Sequence, residues 1–373
     1  MIKDNDVYKI KDSVDLFLSN ESYILAYFMN TRQRKSFKVN KEMVHLLECI
    51  DGLKNITKIK KIMLEKYNVS PEDVNNVMEA MINARIVTKR NNSHNILSEN
   101  DLIRYSRQIN YFAEFLESEE KAIEAQKKII ESTIIIFGIG AVGGNIAIEL
   151  AMAGVGNIVL YDFDKVEVSD ACRHMYYKEE YINKDKIDAL KKELKKINKN
   201  IKIQIIQESM RPETQIENLI KSADFVVDTM DEPYIGYTAS KISRVCVKHK
   251  IAHYIAGGFD AHLASTGELI IPYITPCVEC YAKHFKETLK NWKPKKHPVK
   301  TRYREIGGLA SMSLFSSSYA CIEIIKYMAG LVPMEKNFKI RGEFLFQDMS
   351  LTYLNVEKNP SCPVCGGAWK YES

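Results

Sequence analysis

The residue types and spacings that can do chemistry fall in a few short runs. The first is Gly138-Ile139-Gly140-Ala141-Val142-Gly143, directly after the apolar run Ile134-Ile135-Ile136-Phe137. Glycines at this spacing, after a strand, let backbone amides approach a pyrophosphate at the start of a helix. A NAD(H) site, an ATP site and a tight structural turn all begin this way. The next run, IVLYDFD, ends in Asp162 and Asp164, and Asp162 lies 24 residues beyond Gly138. An acid at that distance reaches ribose hydroxyls, and it does so for NAD and ATP alike. Asp164 reads as a supporting or solvated group beside it.

Arg173 and Lys186 follow just downstream. A dehydrogenase needs no cations there. A site that cleaves a triphosphate does, because negative charge must be held as pyrophosphate leaves. The run VVDTMDE then sets Asp228 and Asp231 at the end of another strand. A carboxylate in that position can hold Mg²⁺ against phosphate oxygens, or cap the helix that follows. Far along the chain stand two CxxC pairs, Cys277/Cys280 and Cys362/Cys365. Four thiolates grouped two and two form a closed tetrahedral zinc site, which staples a fold and leaves no position open for catalysis. Cys49, Cys246 and Cys321 read as packed thiols, and Cys172 as a buried or incidental one.

Elements must position these groups. From Thr133 onward strands and helices alternate, with strands expected at 133–138, 157–162, 201–206, 223–228 and 251–256. Helices are expected at about 142–153, 184–198, 213–221 and 234–248. The alternation predicts an α/β fold with a mainly parallel sheet and its sites at the strand C-termini. Beyond Gly257 the signals turn antiparallel, starting at HLASTGELIIP. A long helix rich in small residues and a final hairpin, GEFLFQDMSLTYLNVE, complete the pattern.

Residues 1–92 read as a separate α+β domain of winged-helix type. SYILAYFMN and RKSFKVN form a β-hairpin broken at Asn-Thr-Arg-Gln, three amphipathic helices follow, and RIVTKR closes the domain. Ile56, Ile59 and Ile62 line the second helix. Ser70-Pro71 starts the third, which buries Val74, Val77 and Met81. Residues 93–132 are expected to be a linker with the first helices of the next domain, and 133–373 the domain carrying the site.

The chain has 373 residues with 46% hydrophobic and 27% charged, an ordinary soluble composition with length for a large core. A net charge of +5, spread over Lys-rich helices, points to solvated faces and away from nucleic acid. No run reaches the ~18 apolar residues of a membrane span, and the N-terminus lacks the apolar core of a signal peptide. The expected location is cytoplasmic, where cysteines stay reduced or bind metal.

With these parts in order, the chain resembles the E1-like adenylating enzymes of the ThiF/MoeB superfamily. The matching elements are RYSRQ (104–108), GIGAVGGN, LYDFDKVEVSDACRH, NKDK (183–186), DTMDE and both CxxC pairs. The resemblance implies a Rossmann-like adenylation domain in which Gly138, Gly140 and Gly143 hold ATP and Asp162 binds ribose. It also implies that Arg173 and Lys186 contact phosphates and that Asp231 serves Mg²⁺ and the reaction. Arg107 would act from a neighbouring subunit, implying a homodimer. Two departures stand out. Asp170 replaces the usual Asn of the S-N-L-x-R-Q run, and His174 replaces its Gln, which puts the polar contact expected of Asp170 in question. The segment after Cys280 also lacks the cysteine that carries a thioester in conjugating enzymes.

Within the superfamily, RYSR, AGGF (256–259), CVEC and PSCPVCGG resemble the branch that modifies ribosomal peptides of microcin C and pantocin type. In that branch an N-terminal clamp, the RiPP recognition element, holds the leader peptide, and residues 1–92 resemble it. The implied activity is ATP-dependent adenylation of a carboxyl or amide oxygen on a precursor peptide. Residues 283–306 are expected to form a basic crossover loop, either solvated or serving as a lid. The competing readings are a leader-binding scaffold without catalysis and an NAD-dependent oxidoreductase.

Overall fold

The computed structural model describes residues 2–19, 22–90, 96–116, 118–232, 234–260, 262–291, 307–333 and 341–366. They divide into two compact units, Met1–Lys127 and Lys128–Ser373.

The first unit opens with β1 (Val7–Ile10), β2 (Val14–Leu18), β3 (Tyr23–Phe28) and β4 (Gln33–Lys38), then α1 (Lys41–Cys49) and β5 (Asp51–Asn55). It continues with α2 (Ile56–Tyr67), α3 (Pro71–Asn83) and β6 (Val87–Arg90). The expected hairpin is β3–β4, and β2 joins it as a third antiparallel strand. A second small sheet has the order β5-β1-β6. Each of the three helices starts on a side-chain cap: Asn40 accepts from the Met43 amide, Asn55 from Lys58, and Ser70 from Asp73. The apolar faces differ slightly from expectation. On α2, Met63 is buried beside Ile56 and Ile59 while Ile62 lies at the margin; on α3, Met78 takes the place expected of Val77. A helix advances 3.6 residues per turn, so the strict spacing of three on α2 drifts off the core face. The unit ends with α4 (Glu99–Arg104), α5 (Ser106–Phe112) and the start of α6 (Glu119–Glu131).

The second unit begins with β7 (Thr133–Phe137), α7 (Ala141–Ala153), β8 (Asn157–Tyr161), α8 (Lys186–Ile197) and β9 (Lys202–Ile206). Then come α9 (Glu217–Lys221), β10 (Phe225–Asp228), α10 (Ile235–Lys248) and β11 (His253–Ile255). The expected helix at 213–221 shortens to α9, because Thr214 closes a turn by accepting from the Arg211 amide. β12 (Phe259–Asp260), β13 (Leu263–Ser265) and β14 (Glu268–Ile270) lead to α11 (Val278–Thr288) and α12 (Ala310–Met328). The last two strands are β15 (Gly342–Leu345) and β16 (Ser350–Tyr353).

The main sheet has the order β14-β11-β10-β7-β8-β9 and is parallel except for β14. Strand order reverses at β7: the chain runs outward through β8 and β9, then returns to the other side at β10. Ligands of such sheets bind at that reversal, over the strand C-termini. β7 and β8 are buried on both faces, which explains their unbroken apolar runs. α7 is buried nearly all round and packs on α12, whose Ser313, Ser316, Ser317 and Ala320 are all buried. A separate antiparallel sheet, β12-β13-β15-β16, carries the final hairpin. Thus HLASTGELIIP is split between two sheets. The change occurs at Gly267, with φ +73° and a neighbouring carbonyl, Ile255 O, 2.5 Å from where a Cβ would sit.

Candidate nucleotide site

The site grows from the three loops that leave β7, β8 and β10. Gly138 takes φ +78°, and a Cβ there would meet Thr229 Oγ1 at 2.9 Å. At Gly143 the clash would be with Gly138 O, at 2.1 Å. These glycines allow the turn to fold back on itself and start α7. Gly140 is the N-cap of that helix, with no side-chain cap from the described residues. A Cβ at Gly140 would meet nothing within 4 Å. The first amides of a buried 13-residue helix are therefore left for an anion, where the helix dipole favours one.

Asp162 follows β8 and is only 6% exposed. Its Oδ2 accepts the Ile139 N–H at 2.8 Å and its Oδ1 the Asp164 N–H at 2.7 Å. Burial raises its pKa, and these two N–H bonds pull against the rise. A carboxylate offers about four lone-pair positions, so two remain for ribose hydroxyls. Tyr176, fully buried, donates to Ile139 O at 2.8 Å and braces the loop from beneath.

The cations sit beside this frame. Lys186, first residue of α8, is 8% exposed and pairs with Asp164 at 3.0 Å, while its N–H donates to Asp164 O. Arg173 follows a 3-10 turn at 168–172 and is held through Asp170, whose Oδ1 accepts from Arg173 Nη2 at 3.0 Å. Asp170, expected at the nucleotide, is 1% exposed and lies beneath the guanidinium rather than at the surface of the site. Burial works to raise its pKa but is outweighed by the Glu167 amide, His174, Lys186 and Arg173, which lower it. Asn145 is a residue that sequence reasoning missed. It is fully buried in α7, donates to Arg173 O at 3.3 Å and Ser313 Oγ at 3.2 Å, and accepts the Met175 N–H. Its only signal is a polar residue one turn into a helix that is apolar apart from it and Glu149.

The two acids at and beyond the end of β10 part company. Asp231 is exposed, as a metal or substrate group would be. Asp228 is fully buried; its Oδ1 accepts the Met230 N–H at 3.0 Å and its Oδ2 has no partner among the described residues. Burial pushes its pKa up to about 8, so it sits as a neutral acid and is no metal ligand facing solvent. Neither acid caps α10, whose N-cap is Tyr234. Thr229 instead ties this loop to the glycine turn, donating to Gly138 O at 2.7 Å.

Arg107 is exposed on α5, in the first unit. Cys172 is exposed, not buried. Residues 283–288 continue α11 and are not loop; 292–306 of the expected crossover segment lie outside the described residues.

The cysteines form a centre of their own. The Sγ atoms of Cys277, Cys280, Cys362 and Cys365 all lie within 4.8 Å of one another, and all four residues are buried. Cys277 and Cys362 approach to 3.6 Å, Cys280 and Cys365 to 3.5 Å. A tetrahedron with Zn–S bonds of ~2.3 Å has edges near ~3.8 Å, so this donor set fits zinc.

A glycine turn, a buried acid clamped to it and two cations beside it, over one mainly parallel sheet, define an E1-like adenylating fold. The chain belongs to the ThiF family, whose pattern matches residues 105–364. The sulfur carrier protein ThiS adenylyltransferase of Escherichia coli is 26% identical over 73% of this chain and 98% of its own. The crystal structure of E. coli MccB with MccA-N7isoASN superposes with a TM-score of 0.71 at 20% identity, covering 97% of this chain and all of that one. PaaA does so with a TM-score of 0.71 at 20% identity, over 94% of this chain and all of that one. The chain is an ATP-dependent adenylating enzyme.

Proposed function

We propose that this enzyme binds a ribosomally made precursor peptide and adenylates one of its carboxyl or amide oxygens. The observation that carries the reading is the grouping of Asp162, Arg173, Lys186 and the free start of α7 around one turn. The likeness to MccB supports it, since that protein, a microcin C7 biosynthetic enzyme, has been crystallised with ATP and with N-formylated MccA.

The peptide oxygen attacks the α-phosphorus of ATP, a new P–O bond forms, and the bond to the β-phosphate oxygen breaks. Asp162 holds the ribose and the start of α7 holds phosphate oxygens. Arg173 and Lys186 stabilise the charge that collects on pyrophosphate. Mg²⁺, held at Asp231, would neutralise further phosphate charge. Attack by a neighbouring amide or nitrogen on the activated carbon expels AMP with that oxygen and gives a ring or a dehydrated residue; attack by nitrogen on phosphorus expels the peptide oxygen instead and leaves AMP as a phosphoramidate.

The leader peptide is held by the first unit. β4 pairs only with β3 among the described residues and so offers an edge to which an extended segment adds as a strand. The protein acts as a homodimer, with Arg107 reaching the partner's triphosphate, and zinc at the four cysteines fastens the C-terminal tail to α11. The scaffold reading is weaker, because a scaffold has no need of both cations and Asp231. Peptide, protein and Mg·ATP should together yield pyrophosphate, AMP that is free or joined to the peptide, and a product of altered mass. ATP consumption indifferent to every cognate precursor would leave the peptide assignment without support.

A further inference from the structure

Asp170 stands where the E1-like run usually carries asparagine, and its surroundings show what the exchange does. Its Oδ2 accepts the Glu167 N–H at 2.9 Å, closing the turn at 168–172, while Oδ1 accepts Arg173 Nη2 at 3.0 Å. The two donors meet different oxygens, so an asparagine in the same position would turn its NH₂ group toward one of them. His174 Nε2 lies 3.4 Å from the same Oδ1, its side chain 1% exposed. Its ring rests against Tyr176, with centroids 5.0 Å apart, and Tyr176 holds the glycine turn through Ile139 O. A run of buried contacts therefore links that turn to Asp170. The Arg173 side chain hangs from its end, 40% exposed.

We propose that Asp170 is the positioning residue for Arg173, a buried carboxylate that fixes the guanidinium for the outer phosphates of ATP. This rests on the reading of Arg173 as a phosphate contact. A guanidinium held by one nitrogen keeps its other N–H groups in a set direction, and less freedom is lost when phosphate arrives. The carboxylate also offsets part of the positive charge. That effect is the smaller one, because the outward face of Arg173 is open to water and screened by salt.

The test is a double-mutant cycle read by calorimetry on the full chain with Mg²⁺, using Asp170→Asn, Arg173→Ala and the double variant. ATP and AMP are the ligands; AMP lacks the outer phosphates and reports on the intact turn. With Arg173 present, Asp170→Asn should weaken ATP about tenfold, and in the Arg173→Ala background it should change ATP affinity less than about twofold. AMP affinity should stay within about twofold throughout. Equal losses for ATP and AMP would mark Asp170 as a merely structural group and overturn the proposal. Additive losses, or unchanged or tighter ATP binding by Asp170→Asn, would also overturn it. If Arg173→Ala alone binds ATP normally, the assignment of Arg173 to the phosphates falls, and this proposal with it.

Discussion

Asp162 Oδ2 accepts the backbone N–H of Ile139 at 2.8 Å, so the acid we propose for the ribose is also the clamp on the glycine turn. One side chain thus couples the sugar end of the site to its phosphate end. Replacing it with alanine removes a charge-assisted bond and leaves the Ile139 N–H unpaired in a buried place. The expected cost is about 1–3 kcal/mol of stability, with ATP affinity reduced at least about tenfold. Urea unfolding and calorimetry measure the two separately.

Asp228 makes a pH prediction. Burial lifts its pKa from the ordinary 3.8 to about 8, so between those values the folded chain holds a proton that the unfolded chain has lost. Its contribution is fully present below about pH 4 and is lost as pH rises through about 8, at up to about 1.4 kcal/mol per pH unit. Asp228→Asn keeps an acceptor for the Met230 N–H and cannot ionise. It should flatten the decline of stability between pH 5 and 8, taking those as about the accessible limits, in urea titrations of both proteins. An unchanged slope would contradict the account.

Much of this arrangement was legible in the sequence. The apolar runs of β7 and β8, the glycine spacing and Asp162 follow from local rules, because parallel strands are buried on both faces and tight turns need glycine. The sequence sets Asp228 and Asp231 together at a strand end, yet one is buried and one exposed. Asp228 is the last paired residue of β10, opposite Phe137 and Ile255, and a carboxylate's direction past that point is outside the period-two pattern. The partners of Asn145 and Tyr176 gave no sequence signal, since they lie 28 to 168 positions away. Such long-range partners are set by packing alone.

Gly143 allows a direct test of the turn. A methyl group there would lie 2.1 Å from Gly138 O, a backbone atom with nowhere to move without opening the loop. Gly143→Ala should cost about 1–3 kcal/mol and abolish measurable ATP binding. By contrast Gly140→Ala, with open space around the new methyl, should fold with normal stability.

The cysteine centre should hold one zinc per chain by elemental analysis of the protein as purified. Chelation, or Cys365→Ser, should lower Tm by on the order of 10 °C. It should not alter the residues around Asp162, so ATP binding well below the new Tm should persist. Protein free of metal with an unchanged Tm would remove zinc from the account.

The most direct test of the central claim identifies the phosphate bond that breaks. The chain, Mg·ATP and candidate precursor peptides are mixed, and the nucleotide products, free and peptide-bound, are separated. Pyrophosphate matched by an equal amount of AMP, free or joined to the peptide, formed only with peptide and lost in Asp231→Ala, is the predicted result. ADP with inorganic phosphate, or no peptide-dependent turnover, would contradict it.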